Sequence, residues 1–145
     1  MILGVTGSRS GMTPQQETTF RACLYLEVGY ENLLGTRGDQ FHHGAAVGVD
    51  EQAATIAKYE FGLYTVAHPS DLARFQTSLK SDVTLKPQRP LSRNMAIVYT
   101  VQYLFAMPIT KHDVLRSGTW ATIRAARSAC REGIIIFPNG ETDYL

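Results

Sequence analysis

The sequence predicts an α/β protein: a single Rossmann-like, doubly wound domain over 1–145, with a mostly parallel sheet of about five strands and helices on both faces. Three observations predict it. Five short strand-like runs, "MILGV", "QFHH", "LYTVAH", "YLFAM" and "GIIIF", are separated by stretches that include clear helical patterns. Largely apolar runs of this kind belong to a parallel sheet covered on both faces, and right-handed crossovers wind it in both directions. Three loops that follow a strand and precede a helix carry glycine: "TGSRSG", "HGAAVGVD" and "RSGTW". In such sheets ligands bind beyond the carboxyl ends of the strands, which is where these loops fall.

The elements follow in order. After "MILGV" and its glycine-serine loop, Thr13 caps a helix, with Pro14 at the first position and Gln16 completing a capping box. That helix runs to about Leu34, with Phe20, Cys23, Leu24 and Val28 as its core stripe, and "GTRGD" breaks it. "QFHH" is a strand. The next helix covers about residues 50–61, and Gly62 ends it. "LYTVAH" is a strand closed by Pro69. Residues 70–90 lack clear periodicity and form a long loop with room for one short helix; such loops are often lids, and Arg74, Lys80, Lys86 and Arg89 suit a lid over phosphate. "LSRNMAIVYTV" is a helix capped by Ser92, and "YLFAM" is a strand. "TWATIRAARSACRE" is a helix with Thr119, Ile123, Ala126 and Cys130 on one face. "GIIIF" is the last strand and "PNGETDYL" a tail.

Composition excludes several classes. A length of 145 residues buries a substantial core without disulfides or metal. Net charge is +1, which gives no global electrostatic case for duplex DNA or an anionic membrane. The N-terminus lacks a basic region and a long apolar run, and no segment approaches a membrane span, so a reducing, cytoplasmic location is expected. Cys23 and Cys130 sit in helical patterns and are expected to be small buried hydrophobes. The four histidines show no metal spacing, and no metal or cofactor is expected.

Glycine allows the backbone to approach a ligand, and a helix N-terminus presents free N–H groups and a positive dipole end. Together they hold anions, phosphate above all. One anion at one helix end gains about 0.3–1 kcal/mol, so converging ends and the arginines Arg9 and Arg93 are needed for useful affinity. Neither GxxxxGK[ST] nor GxGxxG is present, which argues against a kinase or an ordinary NAD-dependent dehydrogenase.

"VTGSR", "HGAAVGVDEQAA", "HP", "SRNMAIV" and "SGTWATIRAA" occur in that order. In this set the chain resembles the SLOG superfamily, especially small single-domain members related to the DNA-processing protein A family, and more distantly the "Lonely guy" phosphoribohydrolases. The resemblance covers most of the chain except residues 70–90. It implies a Rossmann-like fold that binds nucleotides or nucleotide-derived ligands. Carried over by motif, Gly7, Ser8 and Arg9 line the first phosphate-facing loop. Gly44, Ala45 and Gly48 form the second, followed by Asp50. Arg93 matches the ligand-facing arginine, with Asn94 beside it. Ser117, Gly118 and Thr119 match the phosphate-binding turn, written PGGxGT in the hydrolases. There the turn continues as GTxxE, and the glutamate assists N-glycosidic cleavage. Here Thr122 stands at that position, and a threonine without an activating partner is no general base. Leu115, Arg116 and Ser117 replace the turn's opening, so Arg116 adds positive charge.

Several residues read two ways. Asp50 either bonds a ligand hydroxyl or caps its helix. Trp120 either stacks on a base or is buried by packing or a dimer. His42 and His43 alternate along a strand, one facing in and one out, and read as structural; His68 lies nearer the cleft. Arg124, Arg127 and Arg131 share a helix face, either solvated or an oligomer or nucleic-acid surface.

The leading expectation is a protein that binds a nucleotide-derived, phosphate-containing ligand, ADP-ribose-like or a cyclic signalling nucleotide, without cleaving it. It would act as a sensor or sequestering protein, in antiviral defence by analogy with its superfamily. A homodimer or higher homo-oligomer is expected, with no membrane partner. The alternative is an N-glycosidase acting on a nucleoside monophosphate or related conjugate, with Asp50, Asp71 or Asp113 supplying the missing carboxylate. Single-stranded DNA binding is a third reading, disfavoured by near-neutral charge and unclustered aromatics.

Overall fold

The computed structural model describes residues 1–33 and 38–145. The elements are β1 (Ile2–Gly7), α1 (Pro14–Leu33), β2 (Gln40–His43), α2 (Val49–Tyr59), β3 (Tyr64–Ala67), β4 (Val83–Thr84), α3 (Pro90–Thr100), β5 (Tyr103–Met107), α4 (Gly118–Ser128), β6 (Glu132–Ile136) and β7 (Thr142–Tyr144). The strands form one sheet in the order β4-β3-β2-β1-β5-β6-β7, parallel throughout except for β7. The chain winds outward from β1 through β2 and β3, then returns to place β5 on the other side of β1. The topological switch point is therefore at β1, between β2 and β5, where a doubly wound sheet opens its ligand crevice.

The sheet's inner strands are buried on both faces. Phe105 and Met107 of β5 pack with Phe20, Leu24 and Val28 of α1 and Val49, Ala53 and Ala57 of α2. Leu104 and Ala106 of the same strand face the other way, towards Ile97 and Val98 of α3 and Trp120 and Ile123 of α4. Phe20 meets Phe105 edge-on at 5.2 Å and Phe41 at 6.1 Å, which pins α1 over the sheet centre.

The capping box opens α1 as expected. Thr13 N–H donates to Gln16 Oε1 at 3.0 Å, and Gln16 N–H donates to Thr13 Oγ1 at 3.0 Å. The buried Gln16 amide also donates to the carbonyls of Pro108 and Ile136, both at 2.9 Å. One side chain thus closes the helix start and ties it to the carboxyl ends of β5 and β6. Gly29, at φ 65 and ψ 175, interrupts the last turns of α1. The expected helix end at Leu34 and the break over 35–37 lie outside the described residues.

Several expectations need correction. Among the described residues there are seven strands rather than about five. The tail folds back as β7, because Pro138, Asn139 and Gly140 make a tight turn with Gly140 at φ 85. The 70–90 loop contributes β4, two residues held beside β3. It also contains the expected short helix, a single 3-10 turn at Ala73–Phe75. Ser92 does not cap α3; Pro90 occupies its first turn and Arg89 its cap, so Ser92 lies inside. α2 begins at Val49 after Gly48, so Asp50 is inside the helix and is not its cap. Gly62, at φ 66, reverses the chain after it, and Leu63 N–H returns to the Ala57 carbonyl at 2.9 Å. Cys23 is half-buried and Cys130 is exposed. Cys130 takes φ 51 just beyond α4, where Arg131 N–H bonds Ala126 O in a Schellman closure more often built on glycine.

Replacing Gln16 with Met keeps the volume but removes the cap and leaves two buried carbonyls without this donor. We expect a loss of about 2–4 kcal/mol in denaturant-unfolding stability, from about 1 for the cap and about 1–3 for the abandoned groups. A loss below about 0.5 kcal/mol would show that water or a neighbour replaces the amide.

Candidate functional site

Beyond the carboxyl ends of β1, β2 and β5 lies a cleft of about 330 Å³. Its walls include Gly7, Ser8 and Arg9 after β1, Gly44, Ala45, Ala46 and Asp50 around the second loop, and Ser117, Gly118, Thr119 and Thr122 of α4. Arg93 and Asn94 enter from α3. The three glycine loops and the α3 arginine, far apart in sequence, do converge.

The first two loops are pressed together. A Cβ at Gly48 would stand 2.5 Å from the Ser8 and Arg9 backbone, and φ there is +92. A Cβ at Gly7 would stand 2.3 Å from the Val49 side chain. Only glycine allows either approach. The Ser8 carbonyl accepts from Val49 N–H at 3.0 Å and from Gly11 N–H at 3.3 Å.

The second loop folds around its own carboxylate. Asp50, buried, accepts from the backbone N–H groups of Ala46 and Gly44. Ala45 N–H donates to His43 Nδ1 at 3.1 Å, and Val47 N–H donates to the Phe75 carbonyl at 2.9 Å. These donors are therefore already engaged, and Asp50 and Glu51 oppose an anion at the N-terminus of α2. Burial pushes the Asp50 carboxyl up to about 6, against the Arg93 guanidinium and the two N–H groups that hold it down. Gly44 is the spacer between these two charges: a Cβ there would lie 2.5 Å from Asp50 Oδ2 and 2.6 Å from Arg93 Nη1. Arg93 Nη1 donates to the Gly44 carbonyl and, at 3.1 Å, to that of His68; Nε donates to Asn94 Oδ1 at 2.7 Å.

The start of α4 is different. Ser117 Oγ accepts from Trp120 N–H at 3.3 Å, as a cap should. The Gly118 and Thr119 N–H groups precede any intrahelical acceptor, and the first turn holds no acid. A Cβ at Gly118 would meet nothing within 4 Å. Thr122 lines the same wall at 1% exposure, but its hydroxyl donates back to the Gly118 carbonyl at 2.9 Å.

Two expected site residues are not on the walls. Trp120 is 4% exposed and packs with Ala106, Ile123 and Ile135, its indole N–H donating to Thr110 Oγ1 at 3.0 Å. Arg116 is exposed, outside the cleft lining, and Gly48 shapes the cleft from behind. Conversely, the walls include residues no motif indicated: Ser70, Leu72 and Phe75 from the long loop, and Pro90 and Ile109. Arg74, Lys80, Lys86 and Arg89 are not among them, so the expected basic lid is instead a largely apolar wall. The three arginines expected on one helix face serve intramolecular contacts, and Arg131 lies beyond the end of α4. Arg124 pairs with Asp113, and Arg127 and Arg131 donate to the Tyr144 and Tyr99 carbonyls at 3.5 and 3.0 Å.

Under the second loop lies a histidine layer. Both His42 and His43 are buried, because this parallel sheet is covered on both faces; the expected in-and-out division does not occur. His42 Nδ1 and His68 Nε2 share a hydrogen bond of 2.8 Å, and His43 Nε2 meets Ser81 Oγ at 2.7 Å. His68 reaches the cleft only through its carbonyl on Arg93. Burial first, then the neighbouring positive groups, pull His43 and His68 down to about 4; burial also lowers His42.

No protein-family model matches the sequence, and no curated protein matches it either. Solved structures do. The chain superposes on the molybdenum cofactor binding protein of the phototrophic bacterium Rippkaea orientalis with a TM-score of 0.68 and 20% identity, covering 94% of this chain and 76% of that one. It superposes on TM1055, a structural genomics target, with a TM-score of 0.58 and 18% identity, covering 91% and 71%. With the sheet order, these likenesses define a Rossmann-like α/β fold. Among the described residues no helix is long and apolar enough to cross a membrane.

The histidine layer predicts acid lability. Between 6.5 and about 4 the unfolded chain takes up protons that native His43 and His68 refuse, so stability is present above 6.5 and lost as pH falls through that window. Asp50 has the opposite sign between 3.8 and about 6 and partly offsets this. We expect Tm to fall from pH 7 to pH 5, with His43 alone contributing about 1–2 kcal/mol. His43→Gln should flatten the dependence measured by pH-resolved calorimetry, and an unchanged slope would exclude His43 as its source.

Proposed function

We propose that this chain binds a nucleotide-derived, phosphate-containing ligand in the cleft without cleaving it, as a sensor or sequestering protein. One observation carries the reading: α4 presents open first-turn N–H groups and no carboxylate, in the same cleft as the half-buried Arg93. Anion binding needs both the donors and the absence of a competing acid. Burial pulls the Arg93 guanidinium below its ordinary value, yet it stays charged, and its low-dielectric surroundings strengthen its attraction for phosphate.

The bound hydroxyl of Thr122 supports holding over cutting. A general base must accept a proton from attacking water, and the residue at the motif position of the hydrolase glutamate is a threonine whose hydroxyl donates to the Gly118 carbonyl. A neighbour of the same fold is a molybdenum cofactor binding protein, which fits the idea of a small-ligand carrier or sensor at a coarse level. Membership of the SLOG superfamily, a homo-oligomeric state, a cytoplasmic location and a role in antiviral signalling belong to this proposal.

A second reading rests on Asp50. Of the three carboxylates weighed for N-glycosidic cleavage, Asp50 lines the cleft, while Asp71 and Asp113 do not. A carboxyl titrating near 6 suits acid–base work. Its bonds to the Gly44 and Ala46 N–H groups instead give it a role in shaping the loop.

Native mass spectrometry and chromatography with nucleotides, ADP-ribose derivatives and cyclic dinucleotides separate the two. Recovery of intact ligand is expected; release of free base or ribose phosphate, abolished in Asp50→Asn, would establish the second reading. Gly118→Asp is the sharper probe of the anion site. It has room for its side chain and suits the helix dipole, so Tm should hold or rise slightly, while affinity falls more than about tenfold from charge repulsion at the helix end. Undiminished affinity in a folded Gly118→Asp would remove α4 from the site.

A further inference from the structure

The phosphate reading leaves one wall of the cleft unexplained. Residues 70–77 are stitched to the second glycine loop: Val47 N–H bonds the Phe75 carbonyl at 2.9 Å, and Thr77 N–H bonds that of Ala45 at 2.9 Å. Gln76 Nε2 donates to the Ser70 carbonyl at 2.9 Å, and Thr77 Oγ1 donates to Glu51 at 2.6 Å. This lattice fixes the 3-10 turn at Ala73–Phe75, so the segment is a built wall and not a loose insertion.

What it fixes is a phenyl ring that is only partly buried in the cleft and belongs to none of the apolar core clusters among the described residues. Core packing therefore does not explain its placement. Over the ring, at 3.8 Å from its centroid, lies the Arg9 guanidinium, and the Arg74 guanidinium, outside the cleft lining, is 4.6 Å from the same centroid. Arg9 itself is exposed and lines the cleft. A guanidinium laid on an aromatic ring is held flat and stays weakly hydrated, a surface on which planar heterocycles stack. Leu72 and Ile109 add apolar surface to the cleft. The cleft thus offers both halves of a nucleotide's chemistry: a flat, cationic, partly apolar wall from the first and long loops, and open N–H groups at α4. Its volume of about 330 Å³ lies at the small end of ligand sites, enough for one base and its sugar phosphate.

We propose that the Arg9–Phe75 pair is the stacking wall for the ring of a single-base nucleotide whose phosphate sits at the start of α4. This rests on the phosphate reading above and adds the class of ligand. The wall selects planar ring systems by stacking, which tolerates more than one base.

Calorimetric titration of adenosine, guanosine, cytidine and uridine monophosphates, beside ribose 5-phosphate, tests it in the intact chain. At least one nucleotide should bind more tightly than ribose 5-phosphate. Phe75→Leu, which removes the ring that holds the Arg9 guanidinium flat, should weaken that nucleotide up to about tenfold, the order of one base stack, and leave ribose 5-phosphate within about twofold. Phe75→Tyr should restore the difference. In Phe75→Trp, the same nucleotide should quench the new indole emission while ribose 5-phosphate does not, with buried Trp120 as constant background. Equal loss for both ligands in Phe75→Leu, or no loss for either, overturns the stacking wall while leaving the phosphate site standing. A cyclic dinucleotide binding more tightly than every single-base ligand overturns the size class. Binding confined to ADP-ribose derivatives or cyclic dinucleotides overturns the single-base class and leaves the phosphate reading standing, whereas failure of wild type to bind any of these or the single-base ligands removes the phosphate reading itself, and this proposal with it.

Discussion

The carbonyl of Ser8 takes an N–H from Gly11 in its own loop and one from Val49 at the start of α2. That second bond forces two strand-to-helix loops into backbone contact, and everything at the cleft follows from it. Gly48 and Gly7 are required because the contact leaves no room for a Cβ on either side. Once Val49 is fixed, the first turn of α2 places Asp50 inside the second loop, where it gathers two N–H groups and faces Arg93 across Gly44. The arginine is in turn anchored by two carbonyls from the edge of the sheet, those of Gly44 and His68. A close approach of two backbones thus orients a charge on a third element.

The same contact makes the three similar loops unequal. The second loop gives its N–H groups to Asp50, His43 and Phe75, and two acids lie in the turn that follows. Its positive end is already neutralised. The α4 turn has a serine cap, no acid and nothing crowding Gly118. Glycine content, on which the loops look alike, says where backbone can approach. Where the carboxylates lie decides which approach is open to an anion.

How much of this was legible depended on whether the signal was local. The capping box, the α1 stripe and the converging loops were, because short-range hydrogen bonding and periodicity encode them. The last hairpin was legible in principle: Asn139–Gly140 sits between the apolar run of β6 and Thr142–Tyr144, which is a turn signal. β4 was not, since two residues carry no period and it persists through β3 pairing and the Asp82 carboxylate on Thr65 N–H, 2.8 Å away. At the cleft, Trp120 is the aromatic beside the binding motif, but the first turn of α4 rotates it into the core. Phe75 carried no such signal. It reaches the wall because its carbonyl accepts from Val47 N–H and the Thr77 N–H donates to the Ala45 carbonyl, a tertiary pairing between a motif and a segment without one.

Thr122 connects these points. A carboxylate at that position would lie one turn inside α4, close enough to oppose any anion held by the Gly118 and Thr119 N–H groups. A hydrolase accepts that repulsion because the base must touch the water it activates. A threonine whose hydroxyl bonds the Gly118 carbonyl leaves the helix field unopposed and adds no competing charge. At this position a glutamate would both supply a base and oppose a bound anion, and the threonine does neither. The proposed binding without cleavage therefore needs only the electrostatics of this turn, and no further feature elsewhere in the cleft.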